Sequence, residues 1–123
     1  MAKLFHDDVL DAALDKIATS THLTFCSTQP ANYAGIAAVA LVASTLTAGD
    51  GNGDYTIADD TSGRKCTVLA QTGMTPSANG TVTYAVLDDG ATLLAATTVT
   101  SQAVTTAQTW NSPAFKLAIA DPS

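Results

Sequence analysis

Glutamate is missing from these 123 residues: all eleven acidic side chains are aspartates. Aspartate bonds its own backbone and disfavours helix interiors, so the choice points to turns and caps. Cations are scarce too. Lys3, Lys16, Arg64, Lys65 and Lys116 are the five basic residues, with one adjacent pair among them, and the net charge is −6. Nucleic-acid binding needs clustered Lys and Arg to displace counterions, which excludes that class and genome packaging with it. Charged residues make up 13% of the chain, against about 25% in ordinary soluble domains. The surface must therefore be covered by Thr, Ser, Asn, Gln and Ala. Such a surface raises little electrostatic barrier to lying against another protein. It equally suits a small Thr-rich β protein with nothing attached.

Aromatic residues are few, with three Phe, three Tyr and one Trp, and the 46% apolar content is mostly Ala and Val. The core is expected to be thin. Cys26 and Cys66 are too few for a disulfide framework. Both fall in β-like runs and read as small buried hydrophobes. A single bridge between neighbouring strands stays open for oxidising surroundings. Long apolar runs are lacking: Ala34 to Ala43 falls far short of the ~20 residues that a membrane span needs. The opening MAKLFHDDVL carries charge too early for a signal peptide. A single soluble domain over 1–123, made in a cytoplasm, is the expectation.

What is present is organised around one hairpin. Thr81 to Thr98 reads TVTYAVL-DDG-ATLLAATT. Val82, Tyr84 and Val86 point one way and Thr81, Thr83 and Ala85 the other, the period of a half-buried strand. Asp88-Asp89-Gly90 suits a three-residue turn closed by a glycine at positive φ. Ahead of it, Phe5, Val9, Leu10, Ala13, Leu14 and Ile17 mark one apolar stripe on a helix over about 7–19. Asp7 and Asp8 are placed to accept its orphan N–H groups, with Asp11 and Asp15 on the solvated face. His22 to Thr28 alternates as a strand. Tyr33 to Leu46 mixes helix-favouring alanines with Ile36, Val39, Val42 and Thr45, and part of it is expected to be strand.

Tyr55 to Ala58 reads as a brief edge strand and Arg64 to Ala70 as a strand with Cys66 and Val68 on one face. Gly73 to Gly80 is turn-rich. Gln102 to Trp110 forms a third run. Ala114 to Ala120 closes the chain with Phe115, Leu117 and Ile119 inward. Six or seven short strands over about 22–120 after one helix predict a mainly β fold, an antiparallel β-sandwich or barrel.

No constellation carries chemistry. Asp50, Asn52 and Asp54 resemble the start of a calcium loop, but the sixth and twelfth positions hold Tyr55 and Thr61 where Gly and Glu are required. His22 and Cys26, four apart on one strand, stand ~13 Å from each other. Histidines and cysteines lack zinc spacing. Asp7-Asp8, Asp59-Asp60 and Asp88-Asp89 have turn or cap work to do. The expectation is a protein that is not an enzyme, with no catalytic, cofactor-binding or metal-ligating residue. Trp110, beside Asn111-Ser112-Pro113, is expected to be buried, with an interface anchor as the sharper alternative.

FHDDVLDAALDKIATSTHLTFCSTQPANY, DTSGRKCTV, TYAVLDDGATLLAATTVTSQAVTTAQTW and FKLAI together resemble a group of small tailed-bacteriophage virion proteins. The resemblance spans most of the chain, Ala34 to Tyr55 excepted. It implies a head component, a decoration or cement protein bound outside the lattice of the major capsid protein. It implies residence on the capsid surface of the virion and self-association around a symmetry axis, a trimer being one form. Phe5, Val9, Tyr33 and Trp110 are the candidate partner contacts. The rival readings are a tail, neck or fibre-base component and a non-enzymatic module that binds a host-surface glycan.

Overall fold

The computed structural model describes residues 6–120. Phe5, one of the candidate contacts, lies outside them. The first element is helix α1 (Asp7–Ile17). Its N-cap is His6, whose Nδ1 accepts the Asp8 N–H at 3.2 Å, while Asp7 and Asp8 occupy the first turn, where their charge complements the helix dipole. The cap is therefore the histidine, not the two aspartates. The buried stripe runs Leu10, Leu14, Ala18, with Ile17 half-buried. Val9 and Ala13 are exposed, so the stripe is narrower than the spacing of apolar residues suggests. Asp11 also departs from expectation. It turns toward the body of the protein and takes two hydrogen bonds from Arg64, at 2.7 and 3.2 Å.

Nine strands follow among the described residues: β1 (His22–Cys26), β2 (Ala40–Thr45), β3 (Tyr55–Asp59), β4 (Arg64–Val68), β5 (Gln71–Met74), β6 (Gly80–Asp88), β7 (Leu93–Val104), β8 (Trp110–Ser112) and β9 (Phe115–Ile119). All the strand pairs are antiparallel. They build a four-stranded sheet in the order β2-β1-β6-β7, a three-stranded sheet β3-β4-β9 and a two-stranded ribbon β5-β8. The fold is mainly β and sandwich-like, as the spacing of short alternating runs predicts.

The main core lies between the two larger sheets. Leu23, Phe25, Val42, Val82, Ala85 and Leu87 face it from one side, and Tyr55, Ile57, Cys66 and Val68 from the other. Leu14 and Ala18 of α1 complete it at one end, Met74 and Trp110 of the ribbon at another. Tyr55 is fully buried although β3 is an edge strand, and its hydroxyl donates to the Ser20 carbonyl at 2.8 Å. Burial without that acceptor would leave a phenol oxygen unpaired, at a cost of about 1–3 kcal/mol.

The Ala-rich stretch resolves into both of its readings. A short 3-10 turn (Tyr33–Gly35) and helix α2 (Ile36–Val39) precede strand β2. Asn32 caps the turn by accepting the Gly35 N–H at 3.0 Å. Together they cover the outer face of the four-stranded sheet, where Cys26, Ile36 and Val86 form a second, smaller apolar cluster. That cover is why Thr24 and Cys26 are buried as well as Leu23 and Phe25.

The hairpin β6–β7 is longer and less regular than its sequence suggests. Its loop has four residues, because Asp88 pairs with Leu93. Asp89 accepts the N–H groups of Ala91 and Thr92, and Gly90 sits at φ +93°. Pairing continues to Gly80 and Val104, so the front of the Gln102–Trp110 run belongs to β7 and only its last residue begins β8. Between Val82↔Gln102 and Tyr84↔Thr98 the register breaks, and three residues of β7, Val99 to Ser101, stand opposite the single Thr83. The alternation changes phase there. Val82 joins Ala85 and Leu87 in the main core, while Tyr84 and Val86 face the second cluster. A bulge of this kind bends a strand and re-aims its side chains.

Candidate functional site

Charge is partitioned between the two sheets. On the four strands β2-β1-β6-β7, Asp88 at the end of β6 is the one residue that is Asp, Lys or Arg. The three-stranded sheet carries Asp59, Arg64, Lys65 and Lys116. The remaining described charges lie on α1 or in loops. The cause is visible in the chain: Leu23 to Gly49 and Ala91 to Phe115 contain no charged residue at all. These runs supply β1, β2, the helical cover, β7 and β8.

Two of the cations on the charged side are paired. Arg64 reaches Asp59 at 2.8 Å in addition to its two bonds to Asp11. Lys116 grips both carboxylate oxygens of Asp60, at 2.9 and 3.0 Å, and together with the Thr61 N–H holds that carboxyl below the usual carboxylate range. In the 48–54 loop the carboxylates serve the backbone: Asp50 accepts the Ile57 N–H at 2.8 Å and Asp54 the Thr47 N–H at 2.6 Å. Among the described residues no group of three or more His, Cys, Asp or Glu could hold a metal ion. None of the described helices is long and apolar enough to cross a membrane.

On the neutral side lies an apolar cleft of about 390 Å³. Its floor is Phe25, Val99, Trp110, Pro113 and Phe115, and its rim is Thr100, Ser101 and Gln102. The bulge explains its position. Val99 to Ser101 swing out of register with β6, and they line the gap between the edge strands β7 and β9 of the two sheets. At the far end of β9, Ile119 pairs with Arg64, to which Asp11 of α1 is bound, so the helix covers that end. Phe25 and Trp110 meet edge to face at a centroid distance of 4.7 Å and an angle of 78°.

The candidate contacts separate. Tyr33 is 42% exposed on the outer face of the neutral sheet, above a shallow trough lined by His22, Thr24, Ala40, Ala43 and Asp88. Val9 is 57% exposed but stands beside Asp7 and Asp8 on α1, remote in character from the neutral face. Trp110 is buried, and it shapes the cleft as a wall instead of projecting as an anchor. Its indole Nε1–H has no hydrogen-bond partner. Leu69, equally exposed as Tyr33, was not among the residues singled out, because its strand alternation marks it only as outward-facing.

His22 and Asp88 also meet. They pair across β1 and β6, with Nδ1 3.4 Å from the buried Asp88 carboxylate and 3.1 Å from Thr21 Oγ1. Sixty-six positions of sequence spacing hide that contact from any reading of local motifs.

The two thiols lie in different apolar clusters and are unpaired. Burial pushes Cys26 up to about 11, and Cys66 likewise to about 11. The nucleophile is the thiolate, so neither thiol is expected to react with Ellman's reagent at pH 8 in the native protein, and both are expected to react in guanidinium. Because the folded values lie above the unfolded value of 9.0, the neutral thiols' contribution is complete below pH 9 and is lost as pH rises through 11. Rapid native labelling at pH 8 would show that one of the clusters opens.

No protein-family model, curated protein or solved structure matches this chain.

Proposed function

We propose that this chain is a structural protein of a tailed-bacteriophage virion: a decoration protein that binds the outside of the major capsid protein lattice and stabilises it. The resemblance of its segments to small virion proteins suggests the particle, and the partition of charge supports the role. The outer face of the neutral four-stranded sheet, with Tyr33, forms the adhesive side. The three-stranded sheet, α1 and the acidic loops form the solvated side, which keeps a protein of net charge −6 soluble between copies. Contact through an uncharged face avoids desolvating ions, which costs several kcal/mol per ion when they are left unpaired. Repetition over a lattice allows each contact to be weak while the whole shell holds.

Copy number tests the proposal. Particles made from the genome that encodes this chain are stripped with chelator and heat, and the chain is counted by gel densitometry against the major capsid protein. Hundreds of copies, released before the shell breaks, are the expected result. A dozen copies or fewer would place the chain at the neck or tail, and absence from particles would end the proposal. The glycan-binding rival requires an exposed aromatic platform. Tyr33 is the one exposed Phe, Tyr or Trp side chain among the described residues, and a glycan array without hits would leave that reading unsupported.

A further inference from the structure

The one Asp, Lys or Arg residue on the strands of the neutral sheet lies in the trough beneath Tyr33. Asp88 is 4% exposed at the end of β6, yet it lines that trough beside His22. Its Oδ1 accepts the Gly90 N–H at 2.9 Å and stands 3.4 Å from His22 Nδ1. The imidazole offers a countercharge only when protonated. Among the described residues, the Lys and Arg ion pairs go to Asp11, Asp59 and Asp60 instead. The carboxylate is thus buried without a fixed cation, beside a wall of Ala34, Ala37, Ala40 and Ala43. We infer that the trough seats a lysine side chain of the protein that covers this face. The source of that lysine, the major capsid protein, rests on the decoration proposal.

Covering the face forces the choice of partner. A lattice that closes over the neutral sheet removes the solvent access Asp88 retains through the trough, and a carboxylate desolvated without a partner opposes binding. The covering surface must therefore bring a cation to this one point, while the rest of the sheet asks for none. Lysine fits better than arginine. One oxygen of Asp88 is already engaged by the Gly90 N–H, which suits a compact ammonium more than a two-pronged guanidinium fork. The methylene stem of lysine also lies readily against alanines while its head reaches the polar end of the trough. The Tyr33 ring, 42% exposed above the trough, adds its attraction for a cation. A volume of about 330 Å³ holds such a side chain. The net charge of −6 draws a basic surface from a distance, and Asp88 fixes where it docks.

The test titrates Nα-acetyl-lysine methylamide into the full isotope-labelled chain and follows its amide signals by NMR, with the arginine and norleucine analogues alongside. The signals of His22, Tyr33 and Asp88 are expected to shift saturably with the lysine analogue, less with arginine and not with norleucine. Asp88→Asn keeps an acceptor for the Gly90 N–H and removes the charge, so it is expected to abolish the shifts. Ala43→Lys, at an exposed position on the trough wall, supplies an ammonium of its own and is expected to do the same. It takes the place of Asp88→Asn if circular dichroism shows that variant unfolded. Asp89→Asn, the same loss of charge outside the trough, is expected to leave the shifts intact. On capsid shells stripped of this chain, both trough variants are expected to rebind about tenfold or more weakly than wild type. Wild type is expected to lose the same affinity for shells whose lysines have been acetylated. No shift with the lysine analogue, an arginine response that equals it, shifts that survive Asp88→Asn, or undiminished rebinding of both variants would overturn the inference. So would a wild-type oligomer, seen by sedimentation velocity, that Asp88→Asn dissolves, since the lysine would then come from a second copy. Wild type that shifts with lysine yet rebinds no shell would end the decoration proposal and leave the lysine seat standing.

Discussion

Phe25→Ala is expected to lower the unfolding free energy by about 3–5 kcal/mol. The residue is 2% exposed on β1, an interior strand of the four-stranded sheet, between Val42 of β2 and Ala85 of β6. Removing the ring deletes its buried area and its edge-to-face contact with Trp110, the latter worth about 0.5–1.5 kcal/mol in such pairs. Relaxation cannot recover much of this. The ring forms part of the cleft floor, so the space it leaves joins the existing opening instead of closing. Stabilities of single domains are about 5–15 kcal/mol, so the loss is a large share of the whole. Urea denaturation followed by tryptophan fluorescence measures it, since Trp110 is the sole tryptophan and sits at the altered contact. Tyr33→Ala, at an exposed position, serves as the comparison and should stay within about 0.5 kcal/mol of wild type. A Phe25→Ala loss under about 1 kcal/mol would mean that the sandwich does not depend on this ring.

The elements with a steady period were legible in the sequence. α1, β1, β4 and β9 each repeat their apolar residues long enough to define a face, whereas the bulge puts Val82 on the opposite face from Tyr84 and Val86, against their alternation. Phe115, Leu117 and Ile119 point toward the core as their alternation requires, with Lys116 outward. β5 and β8 were not legible, and the reason is physical. Four and three residues long, they exist because Gln71 and Met74 pair with Ser112 and Trp110, some forty positions away. Tyr33 to Leu46 defied a single assignment because its front half is helical and its back half is strand. The bulge at Val99 to Ser101 left no local mark, since Thr, Ser and Val suit either face of a Thr-rich strand.

The candidate site was half legible. Two charge-free runs are plain in the chain, but only the strand order brings β1 and β2 of the first and β7 of the second into the same sheet. The cleft draws its walls from β1, β7, β8 and β9, so no window of sequence contains it. Asp11 illustrates the converse error. Helical periodicity placed it on the solvated face, and a guanidinium 53 residues on drew it inward.

Gly63→Ala carries the second large effect, and its comparison with Gly90→Ala separates two sources of glycine dependence. Both glycines close turns between paired strands and both lie at positive φ, +76° and +93°. An L-residue there costs about 1–2 kcal/mol from the contact of its β-carbon with its own backbone. At Gly90 nothing else lies within 4 Å of the added carbon, so that cost is the whole expectation. At Gly63 the added carbon would meet the Ile119 carbonyl oxygen at 2.0 Å and Ala120 backbone atoms at 3.0 Å. Those atoms are main chain and cannot swing aside as a side chain would. The end of β9 must move, which strains the Arg64↔Ile119 pairing and the Asp60–Gly63 turn closed by a 3.1 Å hydrogen bond. Overpacking of this kind adds about 1–3 kcal/mol, for a total of about 2–5 kcal/mol. Thermal denaturation of both variants checks the order, at about 3–6 °C per kcal/mol for a domain of this length. Equal melting temperatures would show that β9 does not abut the β3–β4 turn, and with that the closed end of the sandwich would be wrongly drawn.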